Sequence, residues 1–268
     1  MSPFWSRILV AVLGLPAVLG LVWLGGWWLW GLAAVASIAA LHELYSMVRR
    51  LRPLVLAGYG GALLALVGAL LGGVDWMLAG FLATFLLSFA LFGISDSRQP
   101  ATVAMGATLM GVSWIGLGMG HLILLRELGT PSMGRYAAFA VLLAVWADDT
   151  VAYFAGRLIG RHRLAPTLSP GKTWEGFVFG SAAAILVAFF TLYKNGQNGF
   201  MDGWRPIVLG AVIAASGAVG DLFESALKRD MEVKDTGRLL AGHGGVLDRI
   251  DALLFATVAG FYTILALS

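Results

Sequence analysis

Residues Gly220–Asp251 read GDLFESALKRDMEVKDTGRLLAGHGGVLDRID, between an apolar run at 205–219 and another at 252–267. From Asp221 onward the block holds five basic residues (Lys228, Arg229, Lys234, Arg238, Arg249) and seven acidic ones. The whole chain has only 15 Asp and Glu, so close to half of its carboxylates sit here. Apolar helices on both sides place so polar a block at a membrane surface. The pattern predicts a helical membrane protein with a polar site at the lipid–water boundary.

The rest of the chain points to the same class. Of 268 residues, 59% are hydrophobic and 12% charged, against roughly 45–50% and 25% in soluble domains. The absence of cysteine excludes a disulfide framework and thiolate metal sites. Ten tryptophans suit interfacial belts, and 36 glycines suit close helix contact in lipid. The net charge of +3 is modest, and no nucleic-acid partner is expected.

A membrane span needs roughly 20 apolar residues. By that measure the candidates are 8–24, 27–48, 54–72, 76–94, 101–125, 136–157, 174–194, 205–228 and 250–267. Arg7 before the first run resembles a signal-peptide start, but no small-residue cleavage site stands out and a second span follows at once. Gly25-Gly26 predicts a tight hairpin between spans, and Gly58, Gly60 and Gly61 predict helix contacts. The expected fold class is all-α: a polytopic integral membrane helical bundle of about nine transmembrane helices. With the N-terminus cytoplasmic, 14 of the 18 Lys and Arg fall on inner segments, Arg98 among them, and only Arg126, Arg135, Lys194 and Arg205 fall outside. Residues 1–135 form an N-terminal region of about five spans. Residues 136–268 form a catalytic region with its site at the cytoplasmic face.

Charges inside spans are costly and therefore informative. Glu43, with His42 beside it, lies near the inner end of the second span and reads either as a helix-end charge or as a site residue. Asp148 and Asp149 lie in the sixth, projecting about 100° apart, so at least one faces the interior. The 157–176 loop reads RLIGRHRLAPTLSPGKTWEG. Its Gly171-Lys172-Thr173 is not a phosphate loop, because Pro166 stands where the motif needs glycine and no strand is expected before it. Four basic side chains, a turn at Ser169-Pro170-Gly171 and a helix start favour an anion site over an ordinary positive loop.

Within the 220–251 block, Asp221, Glu224, Ser225 and Lys228 share one helical face if the eighth span continues to Arg229. Asp248 and Asp251 are likewise one turn apart. Asp221, Asp248 and Asp251, with oxygen donors only, match a hard divalent cation such as Mg²⁺. Gly244-Gly245 lets backbone approach a ligand closely. His243 is either a metal ligand or a hydrogen-bond donor to phosphate. Basic groups beside a carboxylate-held metal point to phosphoryl or nucleotidyl transfer. Ser-His-Asp, HExxH and GxSxG patterns are absent, so hydrolase readings lack support. An ion-coupled transporter using Asp148, Asp149 and Glu43 would scatter charge through the membrane depth and could repeat internally; here the charge clusters and no repeat is visible.

Ser225-Ala-Leu-Lys228-Arg229, Lys234-Asp-Thr-Gly237 and His243-Gly-Gly-Val-Leu-Asp248-Arg-Ile-Asp251 together resemble the pattern of phosphatidate cytidylyltransferases. Asp149-Thr150, Ala152-Tyr153, Gly156-Arg157 and Ser169-Pro-Gly-Lys172-Thr173 with Glu175-Gly176 extend the resemblance over roughly the C-terminal half. Ala241 stands where that family usually has Pro, Val151 where a smaller residue is commoner, and Asp148 is an addition. The resemblance implies Mg²⁺-dependent formation of CDP-diacylglycerol and pyrophosphate from CTP and phosphatidic acid. It implies a multi-pass protein of the bacterial inner (cytoplasmic) membrane, working at the bilayer with its site facing the cytoplasm, and a homodimer. Asp221, Asp248 and Asp251 would hold the metal, with a second cation an option. Lys172, Lys228, Arg229 and Arg249 would neutralise phosphates, helped by Lys234. His243, Gly244 and Gly245 would contact phosphate, and Ser169 and Ser225 would bind substrate. Asp149 would orient a basic group or a second cation. A related enzyme activating another lipid phosphate fits the same motifs.

Overall fold

The structure, a computed structural model, describes residues 3–94, 100–193, 202–237 and 244–267. Arg98, Lys194, Arg238, Ala241 and His243, all singled out from the sequence, lie outside the described residues. Nine α-helices and one short hairpin make up the described chain: α1 Pro3–Leu24, α2 Gly26–Met47, α3 Val55–Ile94, α4 Ala101–Gly111, α5 Leu117–Arg126, α6 Pro131–Ile159, β1 Arg163–Ala165, β2 Ser169–Thr173, α7 Trp174–Leu192, α8 Arg205–Asp230 and α9 Leu247–Leu267. A π turn at Val112–Gly116 joins α4 to α5. The protein is an all-α polytopic membrane protein, in which seven helical stretches among the described residues are long and apolar enough to cross a bilayer. All nine apolar runs fall on helices, because α3 contains two of them.

The chain forms two compact units. The first comprises Met1–Leu124 and Met231–Ile250. Here α3 is a helical hairpin: Gly73 turns with φ 69° and ψ −151°, a region open to glycine at little cost. A side chain at Gly68 would strike the Trp76–Met77 backbone, one at Gly80 the Leu64–Ala65 backbone, and one at Gly61 would strike Thr84. These pairs sum to nearly the same residue number, so the two arms run antiparallel with backbones in close contact. At 1.5 Å per residue the arms 55–72 and 74–94 are about 27 and 31 Å long, close to the thickness of a bilayer core. The glycine stretch at 58–61 makes the helix contacts expected of it. Gly58 and Gly111 bracket the ring of Tyr45, whose hydroxyl donates to the Thr108 carbonyl at 2.8 Å. Leu56, Leu82, Leu86 and Phe89 point outward at 59–74% exposure while alanines and glycines fill the interior. That inversion of the soluble pattern follows when the surrounding solvent is hydrocarbon.

The second unit comprises Leu125–Asp230 and Asp251–Ser268. Thr130 caps α6, accepting from the Met133 amide at 3.3 Å, with Pro131 at the first helical position, where its missing N–H costs nothing. Small residues again set the helix contacts. Gly210 of α8 meets the Ala184–Ile185 backbone of α7, and Gly260 of α9 meets Val141 of α6 and Ile213 of α8.

The expected turn at Ser169-Pro170-Gly171 is corrected. These residues are in β2, and the turn is Pro166-Thr167-Leu168. β1 and β2 pair antiparallel with Arg163 opposite Thr173 and Ala165 opposite Ser169. Two steps along β1 therefore match four along β2, which bulges over Pro170–Lys172. A ribbon of two strands has no central strand, so Pro170 withholds its missing N–H without breaking the ladder.

Candidate active site

A cavity of about 690 Å³ lies within the second unit. On α6 the helical period brings Asp149, Tyr153 and Arg157 to its wall, beside Asp148, Ala152 and Gly156, and Gly160 follows just after the helix. The hairpin adds Arg163, Ser169 and Lys172, and α8 adds Ala218 and Asp221. Lys172 Nζ donates to Asp221 Oδ2, which ties the bulge of β2 to α8. The Tyr153 hydroxyl accepts from Arg157 at 3.1 Å and fixes that guanidinium on the same wall.

The start of α7 is closed internally. Thr173 Oγ1 accepts from the Gly176 amide at 3.1 Å, and Glu175 accepts from the His162 amide at 3.2 Å and meets the His162 ring at 2.7 Å. The anion site expected at this helix start is thus occupied by the chain's own oxygens, and Arg157, Arg163 and Lys172 belong to the cavity wall. Arg229 Nε donates to the Leu168 carbonyl at 3.3 Å, so the tip of the hairpin is held against the end of α8.

Behind Asp221 the carboxylates converge. Asp251, only 7% exposed, lies against the carboxylates of Asp221 and Glu224. Glu224, 2% exposed, accepts from Lys228 at 2.8 Å. Asp148 is buried against Gly180, its Oδ1 lacks a hydrogen-bond partner among the described residues, and it feels both Asp221 and Lys172. Close approach of several carboxylates demands a positive partner between or beside them. Lys172 and Lys228 each supply one, so no three carboxylates among the described residues stand as a ready-made metal cage. The donor chemistry still fits Mg²⁺, which takes one or two carboxylates and fills its other positions with water and phosphate oxygens. Asp221 and Asp251 satisfy that requirement.

Of the residues singled out from sequence, Asp149, Ser169, Lys172 and Asp221 share the cavity. Asp251 joins Asp221 from α9, while Ser225, Lys228 and Arg229 continue along α8 beyond the cavity lining. Lys234, Gly244, Gly245, Asp248 and Arg249 belong to the first unit. There Asp248 Oδ2 accepts from the amides of Gly245 at 2.8 Å and Thr236 at 3.2 Å. Gly244 sits at φ 82°, and a side chain on it would come within 3.1 Å of the same carboxylate. His243 lies outside the described residues. Sequence reasoning gave no role to Glu224, although it shares the α8 face with Asp221; Arg157 and Arg163 entered only among the four basic side chains of the 157–176 loop, and Tyr153 only within a motif.

Comparison with known proteins adds an independent line. Residues 5–267 match the model of the family described as "Cytidylyltransferase family". A protein of Staphylococcus haemolyticus named phosphatidate cytidylyltransferase is 33% identical over 253 residues, covering 93% of this chain and 94% of its own length. One of the same name from Staphylococcus epidermidis is 35% identical over 254 residues, with the same two coverages. Another, from Mycobacterium bovis, is 34% identical over 276 residues, covering 93% of this chain and 84% of its own.

Proposed function

The chain belongs to the cytidylyltransferase family, and we propose that it makes CDP-diacylglycerol and pyrophosphate from CTP and phosphatidic acid at the cytoplasmic face of the bacterial inner membrane. A phosphate oxygen of the lipid attacks the α-phosphorus of CTP. The bond from that phosphorus to the bridging oxygen breaks, and pyrophosphate leaves with the bonding electrons. A phosphate monoester is largely ionised near neutral pH, so the attack needs little help from a base.

One observation carries this reading: a cavity beside the bilayer-spanning helices combines Arg157, Arg163 and Lys172 with the carboxylate of Asp221. Its size falls within the roughly 300–1,000 Å³ of small-molecule sites. The three cations counter a triphosphate, and they offset the negative charge that moves onto pyrophosphate as the bond breaks. Asp221 orients the Lys172 ammonium, and Tyr153 orients Arg157. Lys228, Arg229, Lys234, Arg249, Ser225 and the Gly244-Gly245 backbone are proposed as further substrate contacts, with Asp149 aligning a cavity cation. Asp221 and Asp251, with Asp248 as a third candidate, would hold Mg²⁺. The bound ion would neutralise phosphate charge and help align the triphosphate. No nucleophilic side chain is required, since both partners bring their own reacting atoms.

The test is turnover by the purified protein in detergent or lipid, supplied with CTP, phosphatidic acid and Mg²⁺ and followed by pyrophosphate release. No CTP-dependent lipid product would overturn the reading.

A further inference from the structure

Glu43 is one of the most deeply buried charged groups in the first unit, at 2% exposure, and no step of the proposed reaction uses it. Its position near the end of α2 left two readings, a helix-end charge reaching for water or a site residue, and its burial excludes the first. Oε2 accepts from the Leu247 amide at 2.9 Å and from the Thr236 hydroxyl at 3.4 Å. Leu247 opens α9, so the carboxylate sits where a helix presents free N–H groups and its positive end. Gly237 and Gly245 lie against the same carboxylate, and a Cβ on either would collide with it. Gly245 and Thr236 in turn hand their amides to Asp248.

We infer that Glu43 is a positioning residue for the proposed substrate and metal contacts of the first unit: from α2 it locks Thr236-Gly237 and Gly244–Asp248 into one arrangement. Four groups from two separate stretches converge on a single carboxylate or pack against it, and the two glycines leave room for that carboxylate alone. A snorkelling charge would stay wet, and a purely apolar core would not need one. The N-terminal helices thereby gain a part in the reaction, namely holding the start of α9. Only the kinetic consequence rests on the cytidylyltransferase reading.

The experiment compares Glu43→Ala, Glu43→Gln and Thr236→Val with wild type by amide hydrogen exchange and by steady-state kinetics. Glu43→Ala should speed exchange at Gly245 and Leu247, leave α6 and α7 unchanged, and lower kcat by about 10- to 100-fold, as expected for loss of buried charge-assisted bonds. Glu43→Gln keeps an acceptor for the Leu247 amide and should recover most of kcat. Unchanged exchange at Gly245 and Leu247 in Glu43→Ala would overturn the inference, as would wild-type kcat. If Glu43→Ala does not fold, Thr236→Val takes its place, with unchanged exchange at the same amides again counting against it. A wild type that shows no turnover defeats the functional reading instead, and the exchange measurement still judges the anchor.

Discussion

Lys172 and Asp221 form an ion pair that joins a bulged strand to a membrane helix. Both side chains are about a quarter exposed, so the pair is partly wet and either partner can turn toward a ligand. Lys172 faces the cavity, whereas Asp221 faces both the cavity and Asp251. The pair is therefore the link between the cationic wall and the buried carboxylates.

Replacing Lys172 by Met should lower kcat/KM for CTP by about 10²- to 10³-fold, the usual loss when one preorganised donor to developing charge is removed. Arg at this position should rescue only part of the rate, because a planar fork does not reproduce a compact ammonium. Steady-state kinetics at saturating lipid decide the matter, and a Lys172→Met enzyme within about threefold of wild type would exclude a phosphate role.

The metal assignment separates into three substitutions. Asp221→Asn and Asp251→Asn should each raise the Mg²⁺ concentration for half-maximal rate by about tenfold or more. Asp248→Asn keeps an oxygen for the Thr236 and Gly245 amides, so the loop should hold and any change in Mg²⁺ demand reports ligation alone. Mg²⁺ titrations of rate distinguish these cases. Near wild-type rates at limiting Mg²⁺ would remove the residue concerned from the metal role.

The helices were legible because a bilayer imposes a length and an apolar composition that survive in any local window. Asp149, Lys172 and Asp221 were legible because polar groups stand out against such a background. The hairpin at 163–173 was not. Ser-Pro-Gly is strong turn chemistry, yet here it lies in a bulged strand whose geometry depends on remote partners, Asp221 for Lys172 and Arg229 for the Leu168 carbonyl. Glu43 stood out as a charge, but its partners were unreadable for a related reason. Its partner Thr236 is 193 residues away, and no local periodicity encodes such a contact.

Packing on α7 gives a stability test that is independent of chemistry. An Ala at Gly180 would place its Cβ 2.9 Å from the Ala152 Cβ and from the Asp148 carbonyl oxygen, and closer still to the Asp148 carboxylate. Overpacking of this kind costs about 1–3 kcal/mol. Gly106 on α4 has nothing within 4 Å of where a methyl group would sit, and Ala there should be neutral or stabilising by up to about 1 kcal/mol. Thermal unfolding in detergent should show a lowered Tm for Gly180→Ala alone, and equal Tm values would contradict the close contact.

The orientation of the membrane helices can be tested without removing any native residue of similar reactivity, since the chain has no cysteine. Thr167 lies exposed in the hairpin turn, beside a cavity proposed to receive cytoplasmic CTP. A Thr167→Cys variant should react with a membrane-impermeant maleimide in inside-out vesicles and be protected in intact cells. A reporter fused after Ser268 should show the opposite sidedness, because an odd number of crossings separates a cytoplasmic N-terminus from the C-terminus. Labelling of the Thr167→Cys variant from outside would place the cavity away from the nucleotide pool and defeat the cytoplasmic reading. A Ser268 reporter on the same side as the Thr167→Cys label would instead break the count of nine crossings while leaving the site chemistry intact.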